Sequence, residues 1–160
     1  MTPTRPLSQA RTLALLVPAI ALTGALGSQY IGHLYPCEMC HWQRWPHYAA
    51  LALALTAFAT RDSKATRPLV LLAALAIFIS GAIGVFHAGV EYRWWEGFTT
   101  CTGLPNGAAG GDIMAQILAA PIVRCDQAQW TLGGISLAGF NALLSIPAAI
   151  AIWVLCLKQR

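Results

Sequence analysis

The run Leu69-Val-Leu-Leu-Ala-Ala-Leu-Ala-Ile-Phe-Ile-Ser-Gly-Ala-Ile-Gly-Val-Phe86 carries no acidic or basic side chain across 18 residues. That is close to the roughly 20 apolar residues a helix needs to cross a bilayer. Working outward from it, three further apolar stretches stand at about residues 12–31, 42–59 and 135–157. Only the second opens with polar side chains in its first turns, namely Gln43, Arg44 and His47. The chain is 57% hydrophobic and 10% charged, against about 25% charged in an average soluble domain. Composition therefore argues against a soluble globular domain and for a single integral membrane domain over residues 1–160.

The net charge of +4 follows topology rather than gathering on one surface, so nucleic acid is not an expected partner. Arg5 and Arg11 precede the first span, Arg61, Lys64 and Arg67 fill the link between the second and third, and Lys158 and Arg160 end the chain. Five of the six acids, all but Asp62, fall on the other side. By the positive-inside rule both termini are cytoplasmic, and outer loops at about 32–41 and 88–132 face the periplasm. A leader cleaved near Ala25-Leu26-Gly27 is not expected, because apolar character continues through Ile31.

Short links make neighbouring helices antiparallel, which predicts an all-α, four-transmembrane-helix up-down bundle. Gly24, Ser28 and Gly32, and likewise Ser80, Gly84 and Ala88, recur at the four-residue spacing of close helix contact. The second outer loop is rich in glycine. Within it the segment 112–118 has the spacing of a short helix lying on the membrane, with Asp112 as its N-cap. Trp94, Trp95 and Trp130 flank this loop as interfacial anchors.

Four of the five cysteines lie in the outer loops: Cys37 and Cys40 in the first, Cys101 and Cys125 in the second. The oxidising side of a membrane is where disulfides persist. Pro36 ahead of Cys37-Glu38-Met39-Cys40 sets the pair at a helix start, where the peptide dipole favours a thiolate. Arg44 follows Cys40 by one turn, and a guanidinium at a membrane edge calls for an anionic neighbour, a thiolate or a reduced quinone oxygen, unless it snorkels to the headgroups. His87 closes the third span with Glu91 four residues on, which makes it a functional candidate. Cys156, in the last span, reads as a small apolar packer. Cys101 and Cys125 are open to two readings, a structural staple or a redox relay. Cys37-x-x-Cys40-His41 also matches the c-type haem attachment pattern, with His33, His87 or Met114 as further ligand. Metal capture by the cysteines with His33 or His41 is another alternative.

Taken together these features resemble the DsbB family, bacterial membrane enzymes that reoxidise the periplasmic dithiol oxidase DsbA with quinone. The resemblance rests on the four spans, the cytoplasmic ends, Pro36-Cys37-Glu38-Met39-Cys40 leading into span two, Arg44 four residues on, and the two cysteines of the second loop. Phe86-His87-Ala-Gly-Val-Glu91 and Arg124-Cys125-Asp126 look like forms found in one branch of it. It implies that the reduced partner attacks Cys101, that the released Cys125 attacks Cys37, and that Cys40 is left as a thiolate against the quinone ring. Arg44 would stabilise that thiolate and polarise a quinone carbonyl, and His87 would line the quinone site. The implied cofactor is ubiquinone or menaquinone, with no resident metal. The implied partners are a DsbA-like thioredoxin-fold oxidase and the respiratory chain of the bacterial inner membrane. His41 departs from the family's usual pattern, and its charge is expected to favour the Cys40 thiolate. Enzymatic alternatives are a paralogue serving a dedicated partner and a vitamin K epoxide reductase-like enzyme, whose C-x-x-C stands in a late helix.

Overall fold

The computed structural model describes residues 5–60, 63–97 and 123–158. Four helices dominate it: α1 (Arg5–Tyr30), α2 (Glu38–Ala59), α3 (Thr66–Glu91) and α4 (Leu137–Leu157). The start of α1, the end of α2, the start of α3 and the end of α4 meet in one cluster built on alanines, including Ala10, Ala14, Ala54, Ala57, Ala73 and Ala149. Val70, Ile77, Ile152 and Cys156 complete it. Successive helices therefore run in opposite directions, and the small side chains let their backbones come close. Arg11 of α1 lies over the Phe58 ring of α2 at 4.3 Å, joining the same ends.

Three helices, α1, α3 and α4, are long and apolar enough to cross a membrane. The expected polar residues of α2 set it apart, yet Gln43, Arg44 and His47 are all buried. Trp42, Trp45, Tyr48 and Leu55 occupy the exposed side of that helix instead. Its polarity is turned inward, which is the orientation polar side chains take inside a bilayer.

The expected packing stripes part ways. A Cβ at Gly84 would stand 3.0 Å from the Ala138 carbonyl oxygen and one at Gly81 would stand 2.8 Å from Ile146, so these glycines of α3 allow contact with α4. A Cβ at Gly24 would meet nothing within 4 Å. Gly24 thus leaves space rather than closing a contact, a departure from the packing role expected from its spacing.

α3 runs past the expected span to Glu91 and closes in a Schellman turn. There the Trp94 amide donates to the Gly89 carbonyl (2.8 Å) and the Arg93 amide to that of Val90 (3.1 Å). Trp95 folds back on this end, stacking on Phe86 and donating its indole N–H to the Phe86 carbonyl at 2.9 Å. Before α4, β1 (Thr131–Leu132) pairs antiparallel with β2 (Ile135–Ser136). The turn between them is Gly133-Gly134, with φ of +59° and +79°, the left-handed pair a two-residue hairpin requires. The Tyr92 hydroxyl donates to the Gly134 carbonyl and accepts from the Ser136 amide (2.7 and 2.9 Å), fastening the hairpin to α3. The Ser136 hydroxyl in turn caps α4 by accepting from the Gly139 amide at 3.1 Å. The helix expected at 112–118 lies outside the described residues.

Candidate functional site

α2 begins as expected, at the cysteine pair. Cys37 is the N-cap, its sulfur accepting the Cys40 amide at 3.3 Å, so the helix start itself draws the two side chains together. The Cys37 thiol donates to the Cys40 sulfur at 3.0 Å, and both are free cysteines. This bond and burial push the Cys37 thiol far above the usual thiol range. Cys40 is lowered, chiefly because it receives that bond, with the Arg44 charge adding least. The pair therefore sheds its first proton from Cys40 and holds the second on Cys37.

The side chains around the pair fix one another's hydrogens. Gln43 Nε2 donates to the Met39 carbonyl (3.2 Å), which can only accept, so the same nitrogen faces His87 Nδ1 at 2.7 Å. His87 therefore carries its hydrogen on Nε2, directed at Cys37 Sγ 3.5 Å away. Glu91 Oε1 stands 3.7 Å from the same nitrogen, and Oε2 has no partner among the described residues. His87 also bonds the Cys125 backbone. Cys37, Cys40 and His87 bring three donor atoms within 4.8 Å of one another, the set among the described residues best suited to a soft metal ion.

The two thiols share one pocket but differ in what else they reach. Cys37 packs with Met39, Val90 and Cys125 in a small apolar cluster. Cys125 is disulfide-bonded, and its chain is tied to the first loop by Gln129, which donates to the Tyr35 carbonyl at 2.7 Å. Cys40 packs against the same cluster and, unlike Cys37, also lines a cavity of about 210 Å³ between α1, α2 and α4. From α2 the face Cys40, Gln43, Arg44 and His47 looks into it, at helical spacing. Gly24, Ala25 and Ser28 form the α1 wall, and Ala138, Asn141 and Leu144 that of α4. Ile20 and Leu137 line it while exposed at the bundle surface, so it opens toward the side where lipid would lie.

Arg44 reaches the cavity, but its guanidinium donates to Gln29 Oε1 and to the Ala25 carbonyl (3.0 Å), both on α1. Two of its five donors are thereby used, and the others remain for the cavity. His87 stands with the dithiol in the smaller pocket over Cys37, not among the residues lining the larger cavity. His41 is exposed, and partial desolvation, then Arg44, lower its tendency to protonate, which weakens the charge expected of it beside Cys40. Cys101 and Met114 lie outside the described residues. Cys156 is fully buried in the alanine cluster, at the end of the bundle away from the dithiol.

One member of the site escaped the sequence reading. Asn141, a lone amide in the apolar α4, donates to Gln43 Oε1 (2.8 Å) and to the Ser80 carbonyl and hydroxyl (3.2 and 3.1 Å). Its Oδ1 accepts from Ser145 and faces His47 Nε2, both at 2.9 Å. A single amide in a long apolar run was the available signal.

A dithiol capped on a helix start, one sulfur beside a disulfide and the other on an apolar cavity, defines a membrane thiol–disulfide protein. The chain belongs to the DsbB family: residues 8–156 match the family described as disulfide bond formation protein DsbB. It is also 29% identical over 136 residues to an uncharacterized protein of Rickettsia prowazekii (strain Madrid E), covering 82% of this chain and 77% of the relative. No solved structure matches the chain. Family membership makes it a thiol oxidoreductase of disulfide formation, and with three helices among the described residues long and apolar enough to cross a membrane it fits a multi-pass inner-membrane protein.

Proposed function

We propose that this protein oxidises a periplasmic DsbA-like thioredoxin-fold dithiol and passes the electrons to a membrane quinone, ubiquinone or menaquinone. One observation carries the reading: Cys37 faces the disulfide-bonded Cys125 while Cys40 faces a cavity that opens toward lipid. The two sulfurs of one dithiol stand between a thiol donor and a lipid-soluble acceptor.

The chain's own residues divide the work. The partner's two thiols reduce the disulfide that includes Cys125, proposed to pair with Cys101, and leave as a disulfide. The two thiols so formed reduce a Cys37–Cys40 disulfide by exchange, Cys125 attacking Cys37 and Cys40 leaving. Cys40 is the better leaving sulfur, because the bond from Cys37 favours its thiolate. His87 Nε2–H supports whatever negative charge gathers on Cys37 Sγ. Arg44 supplies a fixed positive charge at the cavity wall. An apolar cavity of about 150 Å³ takes up benzene, so this one, at about 210 Å³, has room for a ring head. A quinone there supplies a sink for two electrons and two protons. Ile20 and Leu137 frame an exit for its tail.

All four helices are proposed to span the membrane, α2 included, since its polar residues are turned inward and its exposed face is apolar. The inner ends are those joined through the basic link at 60–66, which puts both termini in the cytoplasm and the cysteines in the periplasm. A second reading, capture of a soft metal ion by the reduced protein, is favoured by the Cys37, Cys40 and His87 set alone.

The test is oxidation of a reduced DsbA-like thioredoxin-fold protein by the purified protein, with and without quinone, alongside absorption spectra. Quinone-dependent turnover is expected, with a broad visible band that appears with quinone and vanishes in Cys40→Ser. A Soret band, or a stoichiometric zinc ion with no turnover, would replace this function with the haem or the metal reading.

A further inference from the structure

Arg44 is a buried guanidinium whose anchors are both neutral. It is 9% exposed and stands where the cavity of about 210 Å³ meets the smaller pocket, since Ser28, Cys40, Arg44 and Leu137 line both. An arginine this deep is ordinarily paired with a carboxylate, because its charge cannot be shed. Among the described residues no carboxylate lies within ion-pair distance of it, and Glu91, the acid that shares the smaller pocket, stands at His87 instead. Both anchors belong to α1: Nη1 donates to Gln29 Oε1, and Nη2 to the Ala25 carbonyl at 3.0 Å.

A guanidinium can only donate, so the oxygen of the Gln29 amide, not its nitrogen, must face Arg44. Two bonds from different nitrogens of one rigid plane fix its tilt as well as its place. The Ala25 carbonyl is backbone and also accepts the Ser28 hydroxyl at 3.0 Å, so Gln29 is the side chain on which this hold depends. Gln29 itself is half-buried and lines neither cavity.

We infer that Gln29 is a positioning residue for the ring site: its amide oxygen holds the Arg44 guanidinium at the cavity wall without cancelling its charge. The inference rests on the quinone reading of the cavity. Reduction of a ring by the dithiol turns two S–H bonds into one S–S bond, and the two electrons and two protons leave as two new O–H bonds on the ring. Negative charge stands on a ring oxygen whenever an electron precedes its proton, and an unpaired cation in a site shielded from water favours that charge. A glutamate at position 29 would hold the guanidinium equally well but neutralise it in an internal ion pair. An apolar residue there would leave the charge unpaired but release the group to snorkel toward the headgroups. Only a neutral acceptor does both.

Binding is measured by calorimetry on the full chain carrying Cys37→Ser and Cys40→Ser, so that no electrons move. Two probes are compared: a neutral decyl-substituted benzoquinone, and a hydroxynaphthoquinone ionised at the working pH, which carries negative charge on its ring oxygens. Gln29→Met removes the acceptor at nearly unchanged volume and is expected to weaken both probes about tenfold, the scale of one hydrogen bond from a charged group. Gln29→Glu keeps the hold on Arg44. It is expected to leave the neutral probe within about twofold of the parent while weakening the anion about tenfold or more. A residue that merely held the fold would weaken both probes alike in Gln29→Glu. That outcome, an unchanged anion affinity in Gln29→Glu, or a Gln29→Met variant that binds both probes as the parent does, would overturn the inference and leave the ring site standing. No binding of either probe by the parent protein would overturn the quinone site, and the inference with it. Should Gln29→Met fail to fold, Gln29→Glu alone decides, because the split between neutral and anionic probes is what the inference requires.

Discussion

Replacing Asn141 with leucine keeps the apolar character of α4 and removes the amide that joins three helices. The amide takes part in five hydrogen bonds, to Gln43, the Ser80 carbonyl, the Ser80 hydroxyl, His47 and Ser145. Hydrogen bonds between membrane helices average about 0.6 kcal/mol by double-mutant cycle, and four of the five cross between helices, the Ser145 bond lying within α4, so they come to about 2.4 kcal/mol. For a chain of this size each kcal/mol moves the melting temperature by about 2–4 °C, and a drop of about 5–10 °C is expected. Cys156 offers the assay, because it is fully buried in the alanine cluster at the other end of the bundle. With Cys37 and Cys40 replaced by serine, labelling of Cys156 by a thiol-reactive fluorophore on heating reports opening of the bundle. Gln43→Leu and the double variant complete a cycle, where a coupling near 0.5 kcal/mol or more is expected for residues sharing one network. A fall of less than about 2 °C for Asn141→Leu, with no coupling to Gln43, would refute the reasoning, since the amide layer would then hold nothing together.

Two further outcomes follow from the geometry. Cys37→Ala removes the hydrogen bond that lowers Cys40 and leaves burial to raise it. The thiolate of Cys40 should then form at higher pH, so its alkylation at a fixed pH near neutrality should slow, about tenfold for every pH unit by which the midpoint of ionisation rises. An unchanged rate-versus-pH curve would remove Cys37 as the cause. The two glycine classes should separate as well: Gly84→Ala meets the α4 backbone and should lose about 1–3 kcal/mol. Gly24→Ala meets open space and should be neutral, whereas Gly24→Leu should fill the cavity and weaken quinone binding without lowering the melting temperature. Equal stability losses at both glycines would contradict the cavity wall described for α1.

What the sequence determined by itself was everything governed by local pattern. Apolar length marked α1, α3 and α4, and Pro36 and Cys37 marked the start of α2, because each depends on neighbours along the chain. The cysteine pair and Arg44 were legible for the same reason, lying within two turns of one helix. Tertiary structure alone decided what those residues face. Spacing could not tell Gly24, which opens a cavity, from Gly84, which closes a contact, since both recur at the same interval and differ only in what stands opposite. Nor could it bring Asn141 to His47, 94 positions earlier, or turn His87 onto Cys37 while Arg44 turned to α1. Partners in a bundle core are chosen across helices, and a side chain's hydrogens are assigned by carbonyls that only packing places beside it.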